Sequence, residues 1–258
     1  MNRRSCFLLF AGLFMIACNS GNESVQDEKA TDLATVATLQ QKLRLAPDSL
    51  GIRYQLMNAL AKVQDYKNAL LQNDTLLMDD DANAPVLYRR GAILLESGDT
   101  SAAIAALRQS SAAAPMFSEP LLQLAAIYAN QGNAEAIQIA DTLIRGSREI
   151  RTTSQARFIK GLYYSNINDN PAAIAAFDEC IQNDYTFLEA YIEKGLLRYD
   201  EKKYQEALAV FERAIQVSNT FAEAYYQAGR CQEALGNENE AKEYYQKAYG
   251  LDKRFELK

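Results

Sequence analysis

The chain has 258 residues, of which 48% are apolar and 23% are charged, so it carries enough apolar side chains to fill a core. It has no histidine, which excludes the serine triad, the cysteine–histidine pair and zinc or haem sites that use histidine. Its formal charge is −6, and it lacks the basic stripe that nucleic-acid binding requires. The composition therefore favours a binding or scaffold protein.

The first residues predict an export signal. Arg3 and Arg4 precede an uninterrupted apolar run from Phe7 to Ala17. The run is too short for a transmembrane helix, which needs ~20 residues, and it suits the apolar part of a signal peptide. We therefore predict a signal peptide over residues 1–17.

The end of this run resembles the lipobox of bacterial lipoproteins, because Ala17 precedes Cys18. The resemblance implies that Cys18 is lipidated and becomes the first residue of the mature chain. Met15 and Ile16 depart from the commonest lipobox, and a plain secreted protein or an uncleaved anchor are the alternatives. By the sorting rule of enteric lipoproteins, Asn19 after the cysteine favours the outer membrane, facing the periplasm.

A tether and a helix are predicted next. Residues 18–31 contain one large apolar side chain, Val25, so they cannot form a core and favour a flexible tether. Residues 32–46 place four apolar side chains on one helical stripe, which predicts a single capping helix. These side chains are Leu33, Val36, Leu39 and Leu43.

The remaining chain repeats with a period of 34 residues. The glycines Gly161, Gly195 and Gly229 recur at this spacing, and an alanine and an aromatic residue follow each at fixed distances. The alanines are Ala173, Ala207 and Ala241, and the aromatic residues are Phe177, Phe211 and Tyr245. Weaker copies precede them, and six units result: roughly 50–83, 84–117, 118–153, 154–187, 188–221 and 222–255.

This pattern resembles the tetratricopeptide repeat, in which a glycine, an alanine and an aromatic residue recur at these positions. The resemblance implies an all-α fold, a right-handed α-solenoid of about six helix-turn-helix units over residues 32–258, preceded by the capping helix. Lys194 departs from the pattern, since it stands where leucine is usual.

Turn and capping residues divide each unit into two helices. Asp169 precedes Pro171, a combination typical of a helix start. Asp99 or Thr100 can cap a helix in the same way, and Gly132 and Gly236 supply turns in their units. The repeated glycines and alanines let the paired helices approach closely.

No catalytic residue, metal site or cofactor is predicted. Cys180 and Cys231 fall at small, buried positions two repeats apart, so we expect buried thiols without a disulfide. Asp79, Asp80 and Asp81 lack the alternating ligands and the glycine of a calcium loop, and they favour a solvated turn.

In the family that the repeat resembles, ligands lie along the first helix of each unit, three residues before and one after the position of the repeated glycine. The first position gives Tyr54, Tyr88, Leu122, Phe158, Ile192 and Tyr226, and the second gives Asn58, Ala92, Ala126, Leu162, Leu196 and Arg230. Tyr199 lies one turn further along its helix. We expect an aromatic, apolar groove with few cations, and the alternative is that these rings pack against the next unit.

The last helix has no following unit in this sequence, because only residues 253–258 remain. We expect Tyr245 to face inward, and one hypothesis is that Tyr244, Tyr249 and Phe255 form an exposed edge that pairs with a partner or a second copy. In the alternative, Phe255 folds back and the tyrosine hydroxyls stay in water.

These observations lead to one main hypothesis: a non-enzymatic adaptor, lipid-anchored in the bacterial envelope, that binds peptides or partner helices in its groove. On this hypothesis the protein binds a protein or peptide partner, is attached to the membrane through its N-terminal lipid, and does not bind nucleic acid. The alternatives are an accessory component of a surface polysaccharide or secretion system, and an enzyme with an unrecognised site.

Overall fold

A computed structural model of the chain describes residues 23–255, with side chains from residue 30 onwards. Within this range it contains helices and no strand, which confirms the predicted all-α class. The helices are α1 (Glu23–Leu45), α2 (Leu50–Lys62), α3 (Tyr66–Leu77), α4 (Ala84–Glu96), α5 (Thr100–Ala113), α6 (Ser118–Asn130), α7 (Glu135–Gly146), α8 (Ile150–Asn166), α9 (Asn170–Asn183), α10 (Leu188–Asp200), α11 (Tyr204–Val217), α12 (Ala222–Ala234) and α13 (Glu238–Leu251).

The described residues form two compact units that divide within α6, after Leu124. In the first unit α2 packs on α3 and α4 on α5, and α3 contacts α4. In the second unit the pairs are α8 with α9, α10 with α11 and α12 with α13, and each pair packs on the next. The first helix of most repeats starts at the predicted start of the repeat. The exception is α8, which begins at Ile150, whereas the predicted repeat begins at residue 154.

The first helix is longer than expected, because α1 starts at Glu23, inside the segment predicted as a tether. Several residues there are good helix formers, and acidic side chains near the start of a helix are favoured by its dipole. Val36 and Leu39 are buried in a core shared with α2, as predicted. Leu33, however, is 51% exposed and lies outside this core.

The predicted signal peptide, Cys18 and the start of the tether lie outside the described residues. In the part of the chain that the structure covers, none of the helices has the length and apolar character needed to cross a bilayer.

The turn inside each repeat needs a left-handed residue. Gly98, Gly132 and Gly236 have φ values of 91°, 66° and 83°. Gln64, Asn168 and Lys202 occupy the same repeat position in the other units, with φ values of 64°, 62° and 60°. The turn is therefore conserved in geometry although its glycine is present in only half of the units, which explains why the sequence signal there is weak.

The predicted caps are present. Asp99 accepts a hydrogen bond from the backbone N–H of Ala102 at 3.0 Å. Asp169 accepts one from Ala172 at 3.2 Å, and a proline occupies the first turn of that helix. Each carboxylate satisfies a backbone donor that the helix cannot satisfy itself.

The repeated glycines place an aromatic ring of the second helix directly against the backbone of the first. A Cβ atom added at Gly229 would lie 2.8 Å from Cδ1 of Tyr245. At Gly161 and Gly195 it would collide with the rings of Phe177 and Phe211, which are fully buried. The spacing of glycine and aromatic residue in the sequence is therefore the packing contact of the helix pair.

A second recurring contact joins three of the repeats to the one before them. The Nζ atom of Lys194 on α10 lies 2.5 Å from Oδ1 of Asp178 on α9. Lys160 pairs with Asp141 at 2.8 Å in the same way, and so does Arg90 with Asp74. At the position where leucine is usual, Lys194 therefore contributes an ion pair between repeats.

We expect Gly195→Ala to lower the free energy of unfolding by ~1–3 kcal/mol, because the new methyl group overlaps the ring of Phe211. Gly51→Ala is the matched control, since a Cβ there meets nothing within 4 Å, and it should leave stability unchanged or raise it by up to ~1 kcal/mol. Urea denaturation followed by far-ultraviolet circular dichroism measures both. Equal stability of the two variants would contradict this account of the helix pair.

Candidate functional site

The predicted groove residues fall into both compact units. Tyr54, Tyr88 and Leu122 belong to the first unit. Of these, Tyr54 is exposed and Leu122 is half-buried. The others, Phe158, Ile192, Tyr199, Tyr226 and Arg230, belong to the second. They differ widely in exposure, and this divides them into core residues and surface residues.

Phe158 and Ile192 are core residues, which corrects their assignment to the groove. Phe158 is 2% exposed, and its ring packs against Phe177 and Phe187 with centroid distances of 5.5 Å and 5.1 Å. Ile192 is 4% exposed and belongs to a cluster that Phe221 covers. Phe158 shares its cluster with Ala190 of the next unit, and Ile192 shares its cluster with Ala224 of the next unit, which agrees with the alternative of packing between units.

The same contact recurs in other repeats with less burial. Tyr88 meets Phe117 edge-on at 5.4 Å, and Tyr226 meets Phe255 at 5.1 Å. In each case the phenylalanine follows the tyrosine at the same sequence spacing, from the turn after the second helix. We call Phe117, Phe187 and Phe255 the covering phenylalanines. In the first repeat, Asn83 stands where these repeats have their covering phenylalanine. Tyr54 therefore has no covering ring from this position, and it is 36% exposed.

One surface patch lies in the first unit, and we call it the Tyr88 patch: Tyr54, Asn58, Tyr88, Arg89 and Phe117. Nε of Arg89 donates a hydrogen bond to Oδ1 of Asn58 at 2.7 Å, and its Nη1 lies 3.2 Å from Glu96. Burial raises the pKa of Tyr88, and the charge of Glu119 adds to the increase. Arg89 was missed in the sequence because it follows Tyr88 directly and falls outside the two positions that the family pattern selects.

A second patch lies in the second unit, and we call it the Tyr226 patch: Tyr199, Tyr226, Arg230 and Phe255. The guanidinium of Arg230 lies 4.5 Å from the ring centre of Tyr199, a cation–π contact between α12 and α10. Nη1 of Arg230 also donates to Oε1 of Gln227 at 2.8 Å. All four side chains of the patch are half-buried, so each presents part of its surface to solvent.

Glu223 lies one helical turn before Tyr226. Burial raises the pKa of its carboxyl group, the neighbouring charge of Glu189 adds to this, and a hydrogen bond with Gln227 and the charge of Arg254 act against it. Each patch therefore combines aromatic rings with an arginine and nearby carboxyl groups. Such a surface can stack on apolar or aromatic side chains and can also hydrogen-bond to a backbone.

The three side chains of the hypothetical edge on α13 are half-buried, and each has a partner within the chain. The hydroxyl of Tyr244 donates to Glu212 at 2.9 Å, the ammonium of Lys253 lies 3.8 Å from the ring centre of Tyr249, and Phe255 folds back onto Tyr226. Tyr245 is buried as predicted. The exposed positions of α13 are mainly Glu, Lys, Asn and Gln, so this face of the helix is polar.

The two thiols and the acidic run behave as expected. Cys180 and Cys231 are free and buried, and burial raises the pKa of both to about 12. Asp79, Asp80 and Asp81 are exposed after α3. Over the described part of the chain, no cluster of three or more carboxylates and thiols is arranged to hold a metal ion.

Comparison with known proteins identifies the repeat. Three family profiles described as tetratricopeptide repeat match residues 84–115, 158–219 and 198–248. Among curated proteins, none is similar enough in sequence to count as a relative. These ranges therefore carry tetratricopeptide repeats.

Solved structures share the fold. A tetratricopeptide repeat protein from Parabacteroides merdae matches 88% of this chain and 90% of its own, with a TM-score of 0.66 and 18% identity. PilW, a widely conserved type IV pilus biogenesis factor, matches 78% and 92% with a TM-score of 0.64 and 20% identity. PilF of Pseudomonas aeruginosa matches 78% and 91% with a TM-score of 0.61 and 15% identity. The likeness is one of fold, and it confirms the predicted all-α repeat solenoid.

The raised pKa of Glu223 predicts a pH-dependent effect. Because folding favours the protonated form, the carboxylate destabilises the fold at neutral pH, and this destabilisation disappears as the pH falls through the folded-state pKa. Glu223→Gln should therefore raise the melting temperature at pH 7, and the gain should shrink on acidification. Glu243→Gln, on the exposed face of α13, is the control. A gain that is independent of pH would contradict this explanation.

Proposed function

We propose that this tetratricopeptide-repeat protein is a non-enzymatic adaptor, anchored to a bacterial envelope membrane, that binds a peptide or a partner helix on the Tyr88 and Tyr226 patches. The observation that carries the proposal is the arrangement of Arg230 over Tyr199 beside Tyr226. These groups come from two helices of consecutive repeats, and their side chains remain half-exposed.

The chemistry of the patches suits protein ligands. Tyrosine and arginine dominate the binding energy of protein interfaces, because they combine a large apolar surface with hydrogen-bonding groups. In the Tyr226 patch the arginine is already held by a ring and by Gln227, so little side-chain freedom is lost on binding. In the Tyr88 patch Asn58 and Glu96 hold Arg89 in the same manner.

Burial limits where a ligand can bind. The covering phenylalanines shield one side of Tyr88 and of Tyr226, and Phe158 and Ile192 are enclosed in the core. The ligand contacts in each unit are therefore the exposed parts of a few side chains, together with the arginine beside them. This surface is more polar than the aromatic, apolar groove with few cations that was expected from the sequence.

Membrane attachment is the second part of the proposal, and it rests on the sequence around Cys18. A lipidated Cys18 would hold the repeats at the membrane, with the outer membrane and the periplasmic side as the proposed location. Acyl chains contribute ~0.8 kcal/mol per buried CH₂, so more than one chain gives firm anchoring.

We expect Cys18→Ala to abolish palmitate labelling and to release the protein from membranes or leave its precursor unprocessed. Cys6→Ala is the matched control, because Cys6 lies within the predicted signal peptide and should not be needed for labelling. The measurement is metabolic labelling combined with membrane fractionation. Labelling that persists in Cys18→Ala would refute the anchor.

Partner capture tests the binding surface. We expect Tyr199→Ala and Arg230→Ala each to weaken capture of cross-linked partners from envelope membranes by ~2 kcal/mol, the loss typical of an interface hot spot. Lys242→Ala, on the exposed face of α13, should have no effect. Melting temperatures of all three variants must stay close to that of the wild type. If the three variants capture partners equally well, the Tyr226 patch is not the binding surface.

A further inference from the structure

A different concave surface lies in the first unit, between α3 and α5. It is an open trench with a volume of about 840 Å³. Its floor is formed by Leu87, Arg90 and Leu94 of α4, and Leu77 of α3 contributes to one wall. The opposite wall, on α5, consists of five alanines and one glutamine: Ala102, Ala105, Ala106, Gln109, Ala112 and Ala113. We call this surface the α3–α5 trench.

The trench and the Tyr88 patch occupy different faces of α4. Successive residues of a helix are separated by about 100°, so Leu87, Arg90 and Leu94 share one stripe at spacings of three and four residues. Tyr88 and Ala92 lie on a stripe roughly opposite to it. A ligand in the trench would therefore leave the Tyr88 patch accessible.

The wall on α5 carries short side chains at every lining position except Gln109. At the repeat positions equivalent to Ala112, the later helices α9 and α11 carry Gln182 and Gln216. At the positions equivalent to Ala113 they carry Asn183 and Val217. Small side chains let a further helix approach the wall closely, as between the helices of a bundle. From Ala102 to Ala113 the wall is about 16 Å long, or three helical turns.

Two exposed methionines follow closely after Leu77 and Ala113, the last lining residues of α3 and α5. Met78 directly follows α3 and is 80% exposed, and Met116 follows α5 and is 92% exposed. Helices α3 and α5 both end beside the start of α4. There the hydroxyl of Ser110 on α5 donates a hydrogen bond to the carbonyl oxygen of Ala84. Flexible, exposed methionines are common at surfaces that bind partner helices.

The charge at this end is negative. Asp79, Asp80 and Asp81 follow α3 and are exposed. Arg90 is the only cation among the described residues that line the trench, and it is already engaged by Asp74 and by Oδ1 of Asn73 at 3.2 Å. A ligand that brings its own positive charge would complement this end.

We propose that the α3–α5 trench binds an amphipathic helix of a partner protein, with its apolar face on the alanine wall and its Lys or Arg side chains near Asp79–Asp81. The alanines set the close approach, the methionines adapt to the apolar face, and the aspartates fix the direction of the helix. This surface is independent of the proposed function, because none of its residues belongs to the Tyr88 or Tyr226 patch.

Two synthetic helical peptides of about four turns are suitable probes. One contains leucine, alanine and lysine, and the other has glutamate in place of every lysine. Fluorescence anisotropy with the purified full-length protein should show binding of the basic probe and at least about tenfold weaker binding of the acidic probe. Replacing Asp79, Asp80 and Asp81 with asparagine should remove most of this difference.

Filling the trench tests the position of the helix. Ala105→Arg should lower the affinity for the basic probe by at least about tenfold, because the arginine side chain adds bulk and positive charge to the wall. Ala175→Arg is the matched control, since Ala175 is exposed at the equivalent position of α9, and it should leave the affinity unchanged. Ala112→Gln adds bulk alone and introduces the residue that α9 and α11 carry there, so its fold should be intact.

Three outcomes would overturn the proposal. The first is equal affinity for the basic and acidic probes. The second is an unchanged affinity of the basic probe in both Ala105→Arg and Ala112→Gln, with melting temperatures that show intact folds. The third is a concentration-dependent dimer in light scattering that Ala105→Arg dissociates, because a second copy would then occupy the trench.

Discussion

The contact between a ring of the second helix and a glycine of the first is the constraint on which the last three repeats depend. At Gly161, Gly195 and Gly229 the ring occupies the space that a Cβ atom would need. In these three repeats the absence of a Cβ atom lets the ring pack directly on the backbone of the first helix. Gly91 makes the same contact with Leu107, so an aliphatic side chain can serve where the repeat is less regular.

Once the pairs are formed, two further contacts stack them. Each covering phenylalanine lies in the turn after the second helix of a repeat and packs on a ring of the first helix, as Phe187 does on Phe158. Cations on the first helix reach acids on the preceding second helix, as Lys194 does with Asp178. The apolar contact supplies most of the stabilisation, since partly exposed ion pairs contribute little on their own.

These stacking contacts decide what remains for binding. They enclose Phe158 and Ile192 completely and cover Tyr88 and Tyr226 only in part. Arg89 and Arg230 are held beside the partly covered rings, so the surfaces proposed for ligands are mixed aromatic and cationic. The alanine wall of α5 leaves a second concavity with a different character, apolar along its length and acidic at one end.

The sequence by itself determined the repeat, because glycine, alanine and ring positions recur wherever one helix must pack closely on another. It also determined the caps at Asp99 and Asp169, the buried thiols and the inward position of Tyr245, since local geometry and burial control these features. Only the tertiary structure decided which ring at an equivalent position is exposed, because Phe158 and Tyr54 differ in whether a phenylalanine covers them. The fold-back of Phe255 and the stacking of Arg230 on Tyr199 depend likewise on neighbours that are distant in sequence, and no periodicity within one helix encodes them.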